Sequence, residues 1–242
     1  MKILAFDTCL DKMYVTVGEG KEVLCSRIVE TTKTNYHSAY LISTIASLLE
    51  ESNLTPQDID VVATNIGPGS FTGIRACTTV ARVMAQATNI KAVGVSSLEI
   101  LSKINVNASL RDINPEKGQK NSTEAISLKS KKTLVALDAR KEMAYVSIFD
   151  DGNQILAPQV ILVEELKQMI DKEDYFVVTD DKLQPILGGI SYQKEPYDLV
   201  EFLLKIAVNK LEDTSFDTNW QKLLPLYIQP PALNVKCEKK EK

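Results

Sequence analysis

The chain has 242 residues, of which 44% are hydrophobic and 25% are charged, and its formal net charge is −4. This length permits one large domain or two subdomains, each with a buried core. The average globular composition argues against disorder of the whole chain, and the weakly acidic charge is untypical of a free-standing nucleic-acid-binding protein.

The first half begins with three short strands at residues 2–7, 13–17 and 22–30, separated by short polar turns. Their β-branched and aromatic residues and tight turns predict a meander rather than a βαβ unit. The pattern then changes to helical spacing over residues 36–51, where apolar residues recur at Leu41, Ile45 and Leu48.

A near-continuous apolar run at residues 59–66 predicts a strand that is covered on both faces. The helix predicted after it, at about residues 73–88, carries two apolar stripes. One stripe consists of Ala76, Val80, Val83 and Ala87, and the other of Ile74, Cys77, Ala81 and Met84. Such a helix is either buried in the core or shared between the core and a partner.

After a short strand at 91–95 and a short helix ending near Lys103, residues 105–132 lose all periodicity and predict a polar loop or insertion. Strands and helices resume from residue 133. We therefore predict an N-terminal subdomain at 1–104, a C-terminal subdomain at 133–235 and a charged tail at 236–242.

The two halves resemble each other, because each has an apolar strand that ends in aspartate, at Asp7 and at Asp138, before a polar turn and a second strand. This repetition suggests a duplicated fold with a cleft between the halves. The two aspartates could flank a metal ion or a phosphate in that cleft, or they could cap turns.

A glycine-rich turn, Gly67 to Arg75, joins the strand at 59–66 to the following helix. Glycines allow positive φ and close backbone approach, and hydroxyl groups can cap the helix. Free amides at the helix start could hold an anion. The candidate anion or nucleotide contacts are Asp7, Gly67, Gly69, Ser70, Thr72, Gly73, Arg75 and Asp138. The alternative is a tight connection that packs on a neighbouring segment.

Catalytic constellations are missing from the sequence. No lysine follows Gly73, so the turn does not match a P-loop. His37 is the only histidine, so it would have to serve any triad. The four cysteines are widely spaced without a CxxC pair, which argues against a disulfide framework. The single histidine argues against a zinc site. We expect buried reduced thiols and no metal site.

The segment GPGSFTGIR at residues 67–75, after an apolar strand, resembles the signature of the TsaB (YeaZ) family. The opening ILAFDTCL, the GVSSL segment at 94–98, the LDAR segment at 137–140 and the late LPLYI at 224–228 are similar to the family in the same order. The resemblance covers most of the chain.

The resemblance implies an α/β protein with a duplicated actin-like, Hsp70-like (ASKHA) fold, in which two subdomains have mixed sheets flanked by helices. It also implies a non-catalytic subunit in the formation of N6-threonylcarbamoyladenosine in tRNA. The catalytic paralogue TsaD binds metal through an HxxxH arrangement. Here the matching stretch runs from His37 to Leu41, so the second histidine is absent.

The expected partners are TsaD, in a heterodimer, and the ATPase TsaE, in a larger complex. The chain itself is expected to form a homodimer in isolation and to meet tRNA only indirectly. No cofactor of its own is expected, and any ATP, ADP or metal would be held mainly by the partner. The residues expected at the partner interface are Leu41, Ile45, Leu48, Ala76, Val80, Val83 and Ala87.

Two enzyme classes remain as alternatives, a glycopeptidase-like (M22-type) hydrolase and a sugar-kinase-like phosphotransferase. The apolar run at the N-terminus stops at Asp7, too early for a signal peptide, and no apolar stretch is long enough for a membrane helix. The cytoplasm is therefore the expected compartment.

Overall fold

The computed structural model describes residues 1–30, 37–104, 131–194 and 198–228. The first half contains strands β1 (Lys2–Asp7), β2 (Lys12–Glu19), β3 (Glu22–Glu30), β4 (Val61–Asn65) and β5 (Lys91–Val95). Its helices are α1 (His37–Glu51), α2 (Phe71–Thr88) and α3 (Ser97–Ser102), and a 3₁₀ turn lies at Pro56–Asp58.

The second half contains strands β6 (Lys132–Asp138), β7 (Met143–Asp150), β8 (Asn153–Leu162), β9 (Tyr175–Thr179) and β10 (Ile190–Ser191). Its helices are α4 (Val163–Lys172), α5 (Gln184–Leu187) and α6 (Leu199–Glu212), with a 3₁₀ turn at Trp220–Lys222.

The sequence predicted most of these elements, and the differences lie at their ends. Helix α2 begins at Phe71, before the predicted start near Gly73, because the Ser70 side chain caps it by accepting a hydrogen bond from the Gly73 amide. Strand β6 begins at Lys132, inside the predicted loop 105–132. Residues 105–130 of that loop and the tail at 236–242 lie outside the described residues.

Each half forms one five-stranded mixed sheet, and the two sheets have the same topology. The strand order of the first sheet is β3-β2-β1-β4-β5, and that of the second sheet, read from the corresponding edge, is β8-β7-β6-β9-β10. Strand β1 is antiparallel to β2 and parallel to β4, as β6 is to β7 and β9. Asp7 and Asp138 therefore occupy equivalent strand ends, and the predicted duplication is confirmed.

Side chains on the two faces of β1 enter different cores, which fixes the layers of the molecule. Leu4 and Phe6 pack with α1 and α2 on one face. Ile3 and Ala5 on the other face belong to a central core that also takes in α3, α6 and the near face of the second sheet. The far face of the second sheet packs against α4 and α5.

The helices of the central layer cross between the two halves of the chain, and the subdomain bounds at 1–104 and 133–235 stay a prediction. Helix α3, from the first half, packs against β6 and β7. Helix α6, from the second half, packs against β1, β2, β4 and β5. Local sequence periodicity indicates that a helix has an apolar face but does not indicate which sheet covers that face.

None of the helices in the described residues is long and apolar enough to cross a bilayer.

Candidate functional site

The glycine-rich turn lies tightly against the β1–β2 connection. A Cβ atom at Gly69 would lie 2.4 Å from the carbonyl oxygen of Cys9, and one at Gly73 would lie 1.9 Å from that of Thr8. The Ser70 amide also donates a hydrogen bond to the Cys9 carbonyl at 2.8 Å. Glycine is therefore required at both positions because the backbones touch.

Asn65, at the end of β4, connects this turn to two neighbouring elements. Its side-chain Nδ2 donates to Asp7 Oδ2 at 3.0 Å, and its Oδ1 accepts from the Gly67 amide at 2.8 Å. The same Oδ1 accepts from the Ser97 hydroxyl at 3.0 Å. One buried amide thus links the ends of β1 and β4 to the turn and to the start of α3.

Asp7 is buried beneath the turn rather than exposed in a cleft. Burial raises the pKa of its carboxyl from 3.8 to about 6, opposed by the hydrogen bonds from Asn65 and the Cys9 amide. Its carboxylate accepts the latter bond at 2.6 Å. The expectation that Asp7 contacts an anion is therefore wrong, because the side chain is 2% exposed and already bonded.

A cleft of about 1120 Å³ lies between the glycine-rich turn and the turn that joins β6 to β7. Of the predicted anion contacts, it is lined by Gly69, Ser70, Thr72, Arg75 and Asp138, whereas Gly67 and Gly73 are not among its lining residues. The remaining lining residues are Pro68, Phe71, Ile74, Ala139, Arg140, Lys141, Met143, Tyr145, Leu226, Tyr227 and Ile228.

An aromatic pair forms one wall of this cleft. The rings of Phe71 and Tyr227 stack with centroids 5.8 Å apart and an interplanar angle of 29°. The guanidinium carbon of Arg75 lies 5.5 Å from the Phe71 ring centroid. This wall therefore combines the apolar area of two aromatic rings with one cation.

The opposite wall carries unusual backbone geometry. Arg140, Lys141 and Glu142 have φ values of 65°, 50° and 60°, so three successive residues with side chains are left-handed. Each such residue costs roughly 1–2 kcal/mol. The turn is closed by the Met143 amide, which donates to the Arg140 carbonyl at 3.1 Å. Two exposed cations, Arg140 and Lys141, therefore lie on a fixed turn at the cleft.

Asp138 lies at the base of the same turn and stays ionised at neutral pH. Partial burial would raise the pKa of its carboxyl, but the Lys182 side chain and the Arg140 amide, both hydrogen-bonded to it, hold that pKa below its usual range. Lys182 Nζ lies 2.7 Å from Asp138 Oδ2. Lys182 therefore compensates the negative charge of Asp138 at this wall of the cleft.

These groups can bind an anion through cations and hydroxyls, but they lack an evident catalytic set. The lining residues include neither histidine nor cysteine. The Ser70 hydroxyl already caps α2. The side chain of His37 lies outside the described residues.

The predicted partner interface divides into buried and exposed residues. Leu41, Ile45 and Leu48 of α1 are buried, with exposures of 0%, 7% and 2%, and pack in the core beneath β1. Their assignment to the interface is wrong, because the chain's own sheet covers this face of α1. The helical period gives a face, and here that face is internal.

The stripe of α2 formed by Ala76, Val80, Val83 and Ala87 lies at the surface, and we call it the α2 stripe. Val83 is 59% exposed, Ala87 is exposed, and Ala76 and Val80 are partly covered. The second α2 stripe, which includes Ile74, Cys77 and Ala81, is buried. On the neighbouring α1, Ile42 is 68% exposed.

Comparison with known proteins connects this arrangement to a family. A family model described as TsaD, tRNA N6-adenosine threonylcarbamoyltransferase, matches residues 25–115. The tRNA threonylcarbamoyladenosine biosynthesis protein TsaB of Bacillus subtilis is 33% identical over 102 residues, 42% of this chain and 44% of that protein. The TsaB protein of Buchnera aphidicola is 35% identical over 101 residues, 42% of this chain and 47% of that protein.

A solved structure from Pseudomonas aeruginosa, described as similar to the peptidase YEAZ, superposes with a TM-score of 0.70 at 21% identity. The superposition covers 94% of this chain and 99% of the Pseudomonas aeruginosa chain. The chain is therefore similar in sequence to TsaB proteins over less than half of its length, and it shares the fold of the YeaZ-like structure. The predicted fold class is confirmed, since two mixed sheets flanked by helices form the duplicated ASKHA fold. In sequence, the match spans less than half the length of the TsaB relatives.

Several residues that line this cleft were not predicted from the sequence. Phe71 and Tyr227 lie far apart along the chain, so their stacking has no local signal. Arg140 and Lys141 were not predicted as ligand contacts, although they follow the strand-end Asp138 that was. A rule that examines the residues after each repeated strand end would have found them.

Proposed function

We propose that this chain is a non-catalytic scaffolding or activating subunit of the machinery that forms N6-threonylcarbamoyladenosine in tRNA. It acts by pairing with a TsaD-type catalytic paralogue. The observation that carries the proposal is the exposed α2 stripe within the segment matched by the TsaD family model. We further propose that the chain acts in the cytoplasm.

The named TsaB relatives support the pathway. Both are biosynthesis proteins for threonylcarbamoyladenosine in tRNA. Because the aligned segment spans less than half of each relative, the activity and partners of the whole protein are part of the proposal.

The chemistry of the cleft supports a non-catalytic role. A hydrolase needs an activated nucleophile or a metal-bound water, and the lining residues contain no histidine that could serve as a base. A phosphotransferase of the P-loop type would need a lysine after Gly73, where Ile74 stands. Any ATP, ADP or catalytic metal is therefore assigned mainly to the partner, and TsaE joins as the ATPase.

The α2 stripe supports helix-to-helix pairing. Small side chains at Ala76 and Ala87 allow a second helix to approach closely, while Val80 and Val83 offer apolar area between them. An exposed apolar stripe of this kind marks an interaction surface when it is contiguous. The occupant is a similar helix, from a second copy of the chain in isolation and from TsaD in the heterodimer.

The experiment changes Val83 to Glu and compares it with the wild-type protein by sedimentation and by binding to purified TsaD. Burying an unpaired carboxylate between the α2 stripe and the partner helix costs several kcal/mol. We expect a homodimer and a heterodimer for the wild type, and loss of both for Val83→Glu.

The matched control is Ile155→Glu on β8. Ile155 is 52% exposed, close to the 59% of Val83, but lies in the second sheet. It should leave both assemblies intact. A folded Val83→Glu protein that still forms homodimers and still binds TsaD would overturn the interface.

A separate assay tests the non-catalytic role. The purified protein should show no peptidase, kinase or ATPase turnover. Turnover that co-purifies with the chain and disappears in Asp138→Asn would instead favour the hydrolase or phosphotransferase alternative.

A further inference from the structure

Three side chains that could bind a metal converge beneath the glycine-rich turn. Asp7 ends β1, Cys9 lies in the β1–β2 connection, and Cys77 lies in α2. Their carboxylate oxygen and two sulfur atoms lie within 4.8 Å of one another, and all three side chains are buried. No metal site was predicted from the sequence, because His37 is the only histidine.

The ligand types match a thiophilic divalent cation. Zinc takes thiolate ligands at about 2.3 Å and carboxylate ligands at about 2.0–2.2 Å in tetrahedral geometry, so its ligand atoms lie roughly 3.3–3.8 Å apart. Small side-chain rotations would bring the three atoms from their present separations into that range. Two sulfur ligands also favour zinc over magnesium or calcium, which prefer oxygen.

The surrounding hydrogen bonds hold these ligands in place. The Cys9 amide and Asn65 Nδ2 donate to the two carboxylate oxygens of Asp7 at 2.6 and 3.0 Å. The Thr8 amide donates to Cys77 Sγ at 3.2 Å, a contact that also stabilises a thiolate. Outer contacts that orient ligands in this way are a regular feature of metal sites.

Oxygen atoms for a fourth ligand position lie beside both thiols. The carbonyl oxygen of Asn65 is 3.4 Å from Cys9 Sγ, and the hydroxyl oxygen of Thr8 is 3.3 Å from Cys77 Sγ. Together with the three side chains, either oxygen would complete a four-coordinate site.

The electrostatics of the cluster favour a cation. None of the ion pairs within residues 1–30, 37–104, 131–194 and 198–228 includes Asp7. Burial raises the pKa of the Asp7 carboxyl and of the Cys9 thiol, and the neighbouring Cys77 and Asp7 raise the pKa of Cys9 further. A buried carboxylate beside two thiols is costly unless a positive charge compensates it.

We propose that Asp7, Cys9 and Cys77 form a buried structural site for a thiophilic divalent cation, with Zn²⁺ as the best match. Binding replaces the two thiol protons, which leave to solvent, with two metal–sulfur bonds, and no electron is transferred. The ion joins the β1–β2 connection to α2 directly below the glycine-rich turn. The site is independent of the proposed function, because it needs neither TsaD nor tRNA.

The test uses the full chain carrying Cys25→Ser and Cys237→Ser, so that Cys9 and Cys77 are the remaining thiols. Cys237 lies outside the described residues, and Cys25 lies in β3 against Ser52. After treatment with a chelator and a reductant, the protein is titrated with Co²⁺. We expect one Co²⁺ per chain, with thiolate charge-transfer and tetrahedral visible absorption, and displacement by Zn²⁺.

Adding Cys77→Ser or Asp7→Asn to this background should weaken Zn²⁺ binding by about 100-fold or more, since each removes a direct ligand. Zn²⁺ should raise the melting temperature of the background protein but not of Cys77→Ser. The absence of a Co²⁺–thiolate band in the folded background protein would overturn the proposal, whatever the variants do. A Zn²⁺ affinity in folded Asp7→Asn or Cys77→Ser that equals the affinity of the background protein would overturn it as well.

Discussion

Gly73 shows how one missing side chain sets the position of α2. A Cβ atom there would lie 1.9 Å from the carbonyl oxygen of Thr8, which belongs to backbone and cannot rotate away. The Thr8 hydroxyl also donates to the Gly73 carbonyl at 3.0 Å. The first turn of α2 and the β1–β2 connection are therefore in direct backbone contact.

Gly73→Ala should destabilise the protein by roughly 1–3 kcal/mol or more, because the new methyl group forces the two backbones apart. At an exposed helix position without neighbours, Gly→Ala would stabilise the protein by about 1 kcal/mol. The sign of the measured change therefore shows whether the backbone contact is present. Denaturant unfolding measures it, with Thr79→Ala on the exposed side of α2 as the control. An unchanged or higher stability would contradict the contact.

The Lys182 side chain stabilises the ionised carboxylate of Asp138. Removing this side chain should therefore change how the stability of the protein depends on pH. The pKa of Asp138 is lowered in the folded state, so its stabilising effect is present above the unfolded pKa of 3.8 and is lost as pH falls below that value. Lys182→Ala should raise the pKa of Asp138 and reduce this acid-side loss. The size should stay under about 1 kcal/mol, since the lysine is exposed.

An NMR titration of the Asp138 carboxyl measures this effect directly. Lys205→Ala is the control, because Lys205 pairs with Glu201 on α6 and not with the cleft. A pKa for Asp138 that does not move in Lys182→Ala would contradict the assigned ion pair.

Helix α6 covers one face of the first sheet. Leu204 on this helix is fully buried, and its Cδ2 lies only 2.5 Å from where a Cβ at Gly18 would stand. The helix contacts strands β1, β2, β4 and β5, although it comes from the second half of the chain. The first sheet is thus incomplete without a helix that the sequence places far away.

Leu204→Ala should lower the free energy of unfolding by about 2–5 kcal/mol, the usual range for a buried leucine. Leu24→Ala on β3 is the matched control, since that leucine is 51% exposed and should cost little. Denaturant unfolding followed by circular dichroism compares the two. Equal stability of the two variants would contradict the packing of α6 on the first sheet.

Sequence patterns predicted individual strands and helices better than they predicted which elements pack against one another. Alternation and β-branched residues located the strands, and the end of a strand located Asp7 and Asp138. The sequence could not show that α3 and α6 exchange between the sheets, because a helical period reports an apolar face and not what covers it. For the same reason, Leu41 appeared available to a partner when it is in the core.

The candidate site was predicted only where its parts are contiguous in sequence. The glycine-rich turn has a local signature, and the cleft does place Ser70, Thr72 and Arg75 along one wall. The stacking of Phe71 on Tyr227 and the meeting of Cys9 with Cys77 join distant segments. Such contacts depend on the tertiary fold and leave no periodic trace.

At the scale of the whole molecule, the proposed partner surface and the cleft lie at different places. The layer formed by α1 and α2 presents the α2 stripe, whereas the cleft opens between the glycine-rich turn and the β6–β7 turn. Helices α3 and α6 pack between the two sheets and hold both halves together. A partner on the α2 stripe would therefore contact the helix whose first turn lines the cleft.

The amount of threonylcarbamoyladenosine formed in tRNA by a reconstituted reaction directly tests whether this chain activates its proposed partner. The reaction contains TsaD, TsaE, a TsaC-type enzyme and tRNA, with or without this chain. The account predicts that the wild type and Ile155→Glu support modification, and that omission of the chain or Val83→Glu lowers the yield by about 10-fold or more, which corresponds to about 1.4 kcal/mol. Modification that is equally efficient without the chain, or with a folded Val83→Glu protein, would contradict it.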